Sequence, residues 1–266
     1  YDGTSWSFGG NLNTAREQHA GAGTQSAGLA FGGRDANNNY TTSTEEYDGT
    51  SWSFGGNLNT AREQHAGAGT QSAALAFGGT DDSFNTLNST EEYDGTSWSS
   101  GGNLNTARQN LAGAGTQSAG LAFGGYTINF GTSPTTLTEE YNGTSWSSGG
   151  NLIGAGRINH AGAGSQTAAL AFGGSGPNPT TEEYDGTSWS SGGNLNDARE
   201  EHAGAGTQSA ALTFGGRVDN SFSASTEEYN ISSTSVPTSG EIGEIRFNVD
   251  NGKFEGYDGS QWSPLN

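Results

Sequence analysis

Residues 44–79 read TEEYDGTSWSFGGNLNTAREQHAGAGTQSAALAFGG, and the same text returns with small changes at residues 90–125, 138–174 and 181–216. A part copy opens the chain at Tyr1, and another begins at Thr226 and runs to Tyr229. Tyr1, Tyr47, Tyr93, Tyr141, Tyr184 and Tyr229 are separated by 46, 46, 48, 43 and 45 residues. Trp6, Trp52, Trp98, Trp146 and Trp189 each follow their tyrosine by five. Low hydrophobicity and high net charge would suit a disordered chain. A disordered tract, however, has no reason to hold a tryptophan in fixed phase, whereas a folded repeat does.

The unit reads as strands. No window places apolar residues at helical spacing, and glycine interrupts every candidate helix. HAGAGTQ alternates, GLAFGG is a short apolar run stopped by Gly-Gly, and STEEY and TSWS flank an Asp-Gly turn. Four short strands joined by tight turns in a period of 40–50 residues predict the blade of a β-propeller. Ala and Gly alternate in the first strand, as in Ala20-Gly21-Ala22-Gly23, which allows close approach at an axis. Each Trp and Phe is expected to fill the space between blades.

Gly32-Gly33 closing an apolar strand, then Tyr47 and Trp52, then Arg62 ahead of the next strand, resemble the kelch motif. The likeness runs from residue 1 to about 230, in units slightly short and rich in Ala, Gly, Thr and Ser. Repeat identity this high resembles kelch-like proteins of tailed bacteriophages and environmental viruses. The Arg-to-Gly-Gly hairpin occurs five times, from Arg16, Arg62, Arg108, Arg157 and Arg199. The expected fold is therefore all-β: a five-bladed kelch-like propeller of four-stranded antiparallel blades over residues 1–230. The last copy loses its Trp after Tyr229, so the N-terminal strand around Thr4–Ser7 is expected to close that blade, with Tyr257–Trp262 as the alternative. The chain opens in mid-repeat on Tyr1, as expected of a processed chain or one cut from a longer one.

Beyond the repeat, residues 231–242 read as a polar linker and residues 243–266 as a β-hairpin module. GEIGEIRFNVDNGKFEGYDGSQW resembles a short module near the ends of bacteriophage fibre and tail proteins. That resemblance implies a virion-surface or extracellular setting, with contacts to other fibre subunits or homo-oligomerisation through the module.

Composition excludes several functions. Of 266 residues, 28 are acidic and 9 basic, a net charge of −19, which argues against nucleic acid as partner. No apolar run approaches the roughly 18–20 residues needed to cross a bilayer, so a soluble chain without membrane insertion is expected. Cysteine is absent, removing disulfides, thiolate ligands and the Cys-modified Tyr of galactose-oxidase-type copper enzymes. The phased arginines and the glutamate pairs such as Glu45-Glu46 recur with the fold, so they read as structural. One glutamate of each pair is expected to turn inward to Arg and one to solvent. His19, His65, His160 and His202 read as strand caps, since Leu111 breaks the series. No unique acid, base or nucleophile stands out, and no enzyme activity is expected. Calcium is the one cofactor left open, through Asp81-Asp82 and Asp219-Asn220, although their spacing dictates no site.

Variation concentrates between Gly-Gly and TEE, in segments that join the second and third strands. Loops on a rigid scaffold are where binding usually resides. Asn39, Tyr40, Phe84, Tyr126, Phe130 and Phe222 are the candidate ligand-binding residues, suited to stacking on sugars and reading their hydroxyls. The expected partner is a host-surface glycan or protein; unconstrained drift of these loops is the competing explanation, and a purely structural fibre or capsid subunit the alternative function.

Overall fold

The computed structural model describes residues 1–127, 133–176, 178–230, 245–248, 253–257 and 262–264. Strands, turns and bends account for all the regular structure among them, with no helix. The chain divides into two units, Tyr1–Tyr229 and Asn230–Asn266.

In the first unit, four repeats each build a four-stranded antiparallel sheet whose strands follow in chain order. The first sheet comprises Ala20–Thr24, Ala27–Phe31, Thr44–Tyr47 and Trp52–Phe54. The second, third and fourth sheets begin at Ala66, Ala112 and Ala161 and keep the same register. The fifth, Ala203–Thr207, Ala210–Phe214 and Thr226–Asn230, has three strands among the described residues. Repeated meanders of this kind are consistent with a β-propeller.

Local chemistry sets the turns. Asp48 Oδ1 accepts from the backbone N–H of Thr50 and of Ser51, both at 2.8 Å, and Asp94 and Asp185 do the same in their copies. Those bonds hold the three carboxyls below their ordinary pKa.

Successive sheets are joined by one set of contacts. Trp98, on the outer strand of the second sheet, lies 4.9 Å from the Phe31 ring of the first and donates its Nε1–H to Thr44 Oγ1 at 2.9 Å. Trp146 with Thr90 and Trp189 with Thr138 repeat this bond at 2.9 Å. Gln71 donates Nε2–H back to Tyr47 O (2.6 Å) and Gly28 O (3.1 Å) of the preceding sheet. Sheet spacing is tight: a Cβ on Gly67 would meet Phe31 Cζ at 2.6 Å.

The phased ion pairs sit inside this framework. Arg62 Nη2 donates to Glu91 Oε1 at 2.8 Å, with side chains 0% and 3% exposed. Arg16–Glu45 (2.6 Å), Arg108–Glu139 (3.0 Å), Arg157–Glu182 and Arg199–Glu227 (2.7 Å) repeat it. The first glutamate of each pair thus turns to Arg as its alternation predicts. The second differs from expectation. Glu46 accepts the Tyr93 hydroxyl of the next sheet at 2.5 Å, and Glu92, Glu140 and Glu183 accept from Tyr141, Tyr184 and Tyr229. Strand alternation gives the side a residue faces but not the tyrosine that the next sheet brings there. Burial, then the glutamate, raises Tyr93 and Tyr141 to about 12.

The N-terminal segment is placed differently from the fourth-strand role expected of it. Thr4–Ser7 forms no strand. Instead Trp6 Nε1 donates to Thr226 Oγ1 (3.1 Å), Trp6 lies 5.0 Å from Phe214, and the Tyr1 hydroxyl donates to Glu228. These are the contacts that the Tyr and Trp of a following sheet make elsewhere. On its other side, Gln25 of the first sheet donates to Tyr1 O at 2.7 Å, as Gln71 does to Tyr47. Residues 1–10 therefore stand between the fifth sheet and the first. The physical reason is that Tyr1 and Trp6 travel together, and Tyr229 already fills the tyrosine position of the fifth sheet.

The second unit is a three-stranded antiparallel sheet of Ile245–Asn248, Lys253–Tyr257 and Trp262–Pro264, with Tyr257 paired to Trp262 in register. The linker proposed at 231–242 lies outside the described residues.

Candidate functional site

The connections between second and third strands emerge beside the start of each first strand, which fixes one face of the molecule. Arg16-Glu17 pairs with Arg34-Asp35, Arg199-Glu200 pairs with Arg217-Val218, and Glu63 bridges to Thr80. A central cavity of about 920 Å³, lined by the innermost strands of all five sheets, lies along the same elements.

Gln18, Gln64, Asn110, Asn159 and Glu201 line that cavity where the first strands begin, and all five have left-handed backbones with φ of 53–55°. Such a conformation is unfavourable for residues other than glycine. In four of the five it lets the N–H reach the preceding sheet: Gln64 N to Gln18 O (3.0 Å), Asn110 N to Gln64 O (2.9 Å), Asn159 N to Asn110 O (3.4 Å) and Glu201 N to Asn159 O (2.9 Å). Sequence reasoning missed these residues. The available signal was an amide or acidic residue standing before each phased His or Leu, with Asn twice, the type that best tolerates this backbone.

Below this rim the histidines face inward. His65, His160 and His202 lie 5.6–5.8 Å from Phe31, Phe123 and Phe172 of the neighbouring sheets. Each ring lies toward one backbone group, that of Phe31, Phe123 and Phe172 respectively, without reaching hydrogen-bond geometry. Burial, then the adjacent arginine, lowers their pKa values, to about 4 for His202 and well below the ordinary value for His65 and His160. They are neutral spacers. Among the described residues no group of three or more His, Cys, Asp or Glu could hold a metal ion.

Two candidate residues come together. The rings of Tyr40 and Phe84, from adjacent loops, meet edge to face at 6.2 Å. Tyr40 donates its hydroxyl to Glu63 Oε1 at 2.7 Å, and Arg34 lies 3.5 Å from Glu63 Oε2. Phe84 is 74% exposed, its backbone left-handed at φ 61°. Asp81 holds its loop by accepting from Ser83 N (3.0 Å) and Asn85 N (2.8 Å). An exposed phenyl face beside a phenol, a guanidinium and carboxylates can stack on an apolar sugar face and bond its hydroxyls.

The other candidates are dispersed. Asn39 folds onto Asp35, donating Nδ2–H to Oδ2 at 3.2 Å. Tyr126 is half-buried, exchanges backbone bonds with Gln109 (2.8 and 3.1 Å) and pairs with Pro134. Phe222 is 92% exposed, with Arg217 5.7 Å above its ring. Phe130 lies outside the described residues. For calcium, Asp81 is committed to its own loop, and Asp219 and Asn220 sit in a turn with φ of 48° and 62°.

No protein-family model matches the chain, and no curated protein is similar to it.

Proposed function

We propose that this chain is a non-enzymatic, five-bladed kelch-like propeller of a virion appendage that recognises a host-surface glycan or protein through its strand 2–3 loops. The observation that carries the proposal is the Tyr40–Phe84 pair, an aromatic platform on the loop face with Arg34 and Glu63 at its edge. Phe84 leaves its ring in solvent, apolar area whose burial by a ligand would favour binding. The repeated framework spends its arginines, glutamates and histidines on holding sheets together, which leaves the variable loops as the part free to specify a ligand. The phage setting rests on the kelch-like and fibre-like resemblances of the sequence.

Binding to a glycan array, with Tyr40→Phe and Phe84→Ala as variants, tests this. Loss of signal on Phe84→Ala at unchanged melting temperature is expected. An array blank for the native chain, or full binding by Phe84→Ala, refutes the loop site. The structural-subunit alternative is favoured by one observation, that among the described residues no strand pairs with the outer side of Thr226–Asn230 in the fifth sheet.

A further inference from the structure

Asp-Gly-Thr-Ser joins the third and fourth strands of the first, second and fourth sheets, with its acid at Asp48, Asp94 and Asp185, and the part copy at the start of the sequence carries Asp2. The third sheet departs from this, its turn reading Asn142-Gly143-Thr144-Ser145. The backbone is the same in both. Asn142 Oδ1 accepts from Thr144 N at 3.0 Å and from Ser145 N at 2.9 Å, as Asp48 Oδ1 does from Thr50 N and Ser51 N. Gly143 has a φ of 87°, against 91°, 88° and 89° for Gly49, Gly95 and Gly186. Asn142 and Gly143 are both exposed.

One contact separates the two residue types. In the acidic turns the serine hydroxyl donates to the second carboxylate oxygen: Ser51 Oγ to Asp48 Oδ2, Ser97 Oγ to Asp94 Oδ2 and Ser188 Oγ to Asp185 Oδ2, each at 3.3 Å. Asn142 presents Nδ2 there, a donor that cannot accept. Among the described residues Ser145 Oγ has no such bond. The turn also favours negative charge, since its two backbone N–H groups hold the carboxyls of Asp48, Asp94 and Asp185 below their ordinary pKa. It is built for the acid and here carries the amide. The same two N–H groups bear on reactivity. Converging on Oδ1, they polarise the carboxamide and stabilise the oxyanion that forms when a nucleophile adds to Cγ. The nucleophile stands next in the chain. Gly143 N donates to no acceptor among the described residues, and glycine puts no side chain beside it.

We propose that Asn142 is a self-modification site, at which the folded turn converts its amide to the aspartate of the other copies. The Gly143 nitrogen attacks Asn142 Cγ and gives up its proton. The Cγ–Nδ2 bond breaks, and ammonia leaves with that proton. Water then opens the succinimide, its oxygen adding at Cγ and one hydrogen returning to Gly143 N. Opening at the other carbonyl would give isoaspartate, whose extra backbone carbon displaces the Tyr141–Trp146 pair and the bond from Asn142 N to Ser145 O at 3.2 Å. Opening at Cγ keeps both and adds the serine bond, so aspartate is the product the fold selects. The change adds one negative charge to a chain of −19 and is independent of any ligand at the loops.

The test is mass spectrometry of the folded full chain held in mildly alkaline buffer, beside the hexapeptide acetyl-Tyr-Asn-Gly-Thr-Ser-Trp-amide. Trypsin cuts after Arg108, Arg157, Arg246 and Lys253, which places Asn142 and the chain's other Asn-Gly step, Asn251-Gly252, in separate peptides. Isoaspartyl methylation then distinguishes the two acids. Conversion at Asn142 at least as fast as in the hexapeptide is expected, with aspartate in greater excess over isoaspartate than the hexapeptide gives. An Asn142 still intact when half the hexapeptide has reacted, or a product ratio no different from the hexapeptide's, overturns the proposal. Asn142→Asp should melt no lower than the native chain, since it supplies the acceptor that Ser145 lacks. A lower melting temperature for that variant contradicts the selection of aspartate by the fold.

Discussion

Removing one phased arginine should destabilise the repeat without touching the loop face. Arg62 is fully buried and spends four hydrogen bonds. Nη1 donates to Gly78 O and Ser89 O, both at 3.0 Å, and Nη2 donates to Ser89 Oγ (3.0 Å) and Glu91 Oε1 (2.8 Å). Breaking a buried pair by deleting one partner costs about 3–5 kcal/mol, because the other charge stays buried. Glu91 keeps three donors after the change, Asn59 N at 2.7 Å, Asn59 Nδ2 at 2.9 Å and Thr60 N at 3.1 Å. The lower end, about 3 kcal/mol, is therefore expected for Arg62→Ala. At roughly 2–4 °C per kcal/mol for a unit of this size, the melting temperature should fall by about 6–12 °C. Adding Glu91→Gln to Arg62→Ala removes the unpaired charge and should recover part of the loss, a coupling read from a double-mutant cycle. Circular-dichroism melts of the four proteins suffice. A loss below about 1 kcal/mol for Arg62→Ala would refute the claim that this pair holds the sheet, by the scale of exposed pairs.

Further outcomes follow from the same contacts. Thr138→Val should cost about 1–3 kcal/mol in chemical denaturation by orphaning Trp189 Nε1; an effect no larger than that of Thr181→Val would contradict the assigned bond. His65→Leu and His160→Leu copy Leu111 and remove unpartnered ring nitrogens, so both variants should melt at or above the native temperature at pH 7. Histidines lowered in the fold contribute stability that is complete above their unfolded pKa near 6.5 and is lost as pH falls toward the folded value, about 4 for His202. The native chain should accordingly weaken between about pH 6.5 and 4, and the double Leu variant should weaken less, as a pH series of melts will show. Glu45 and Glu227 add a second acid limb: burial raises them, but amide donors and Arg16 or Arg199 outweigh it, so their contribution disappears only below the ordinary carboxylate range.

Much of the repeat's architecture was legible because five copies of one text act as their own comparison. Turn chemistry at Asp-Gly, alternation in the Ala-Gly strands and the phase of Trp fixed four strands per unit, and an Arg in every copy implied a repeated partner. Contacts between sheets were less legible. That Glu46 would receive Tyr93 depends on how far one sheet is rotated against the next, which no single unit encodes. The place of Trp6 was misjudged for the same reason: a Tyr-Trp pair can attach to a sheet as its own fourth strand or as the start of the following one, and only the competition with Tyr229 decides between them. The loop candidates were chosen by residue type, and type alone did not reveal that Asn39 is held by Asp35 or that the Tyr126 backbone is engaged by Gln109. The missing tryptophan after Tyr229 was visible in the sequence, but that the Thr181 hydroxyl is buried without a partner was not.

Recognition through the variable loops is tested most directly by hydrogen–deuterium exchange on the chain saturated with its best array glycan. Protection confined to residues 34–40 and 80–86 is predicted, with the turns at 24–27 and 48–51 on the opposite face unchanged. Protection of those invariant turns, with the loops unaffected, would contradict the account.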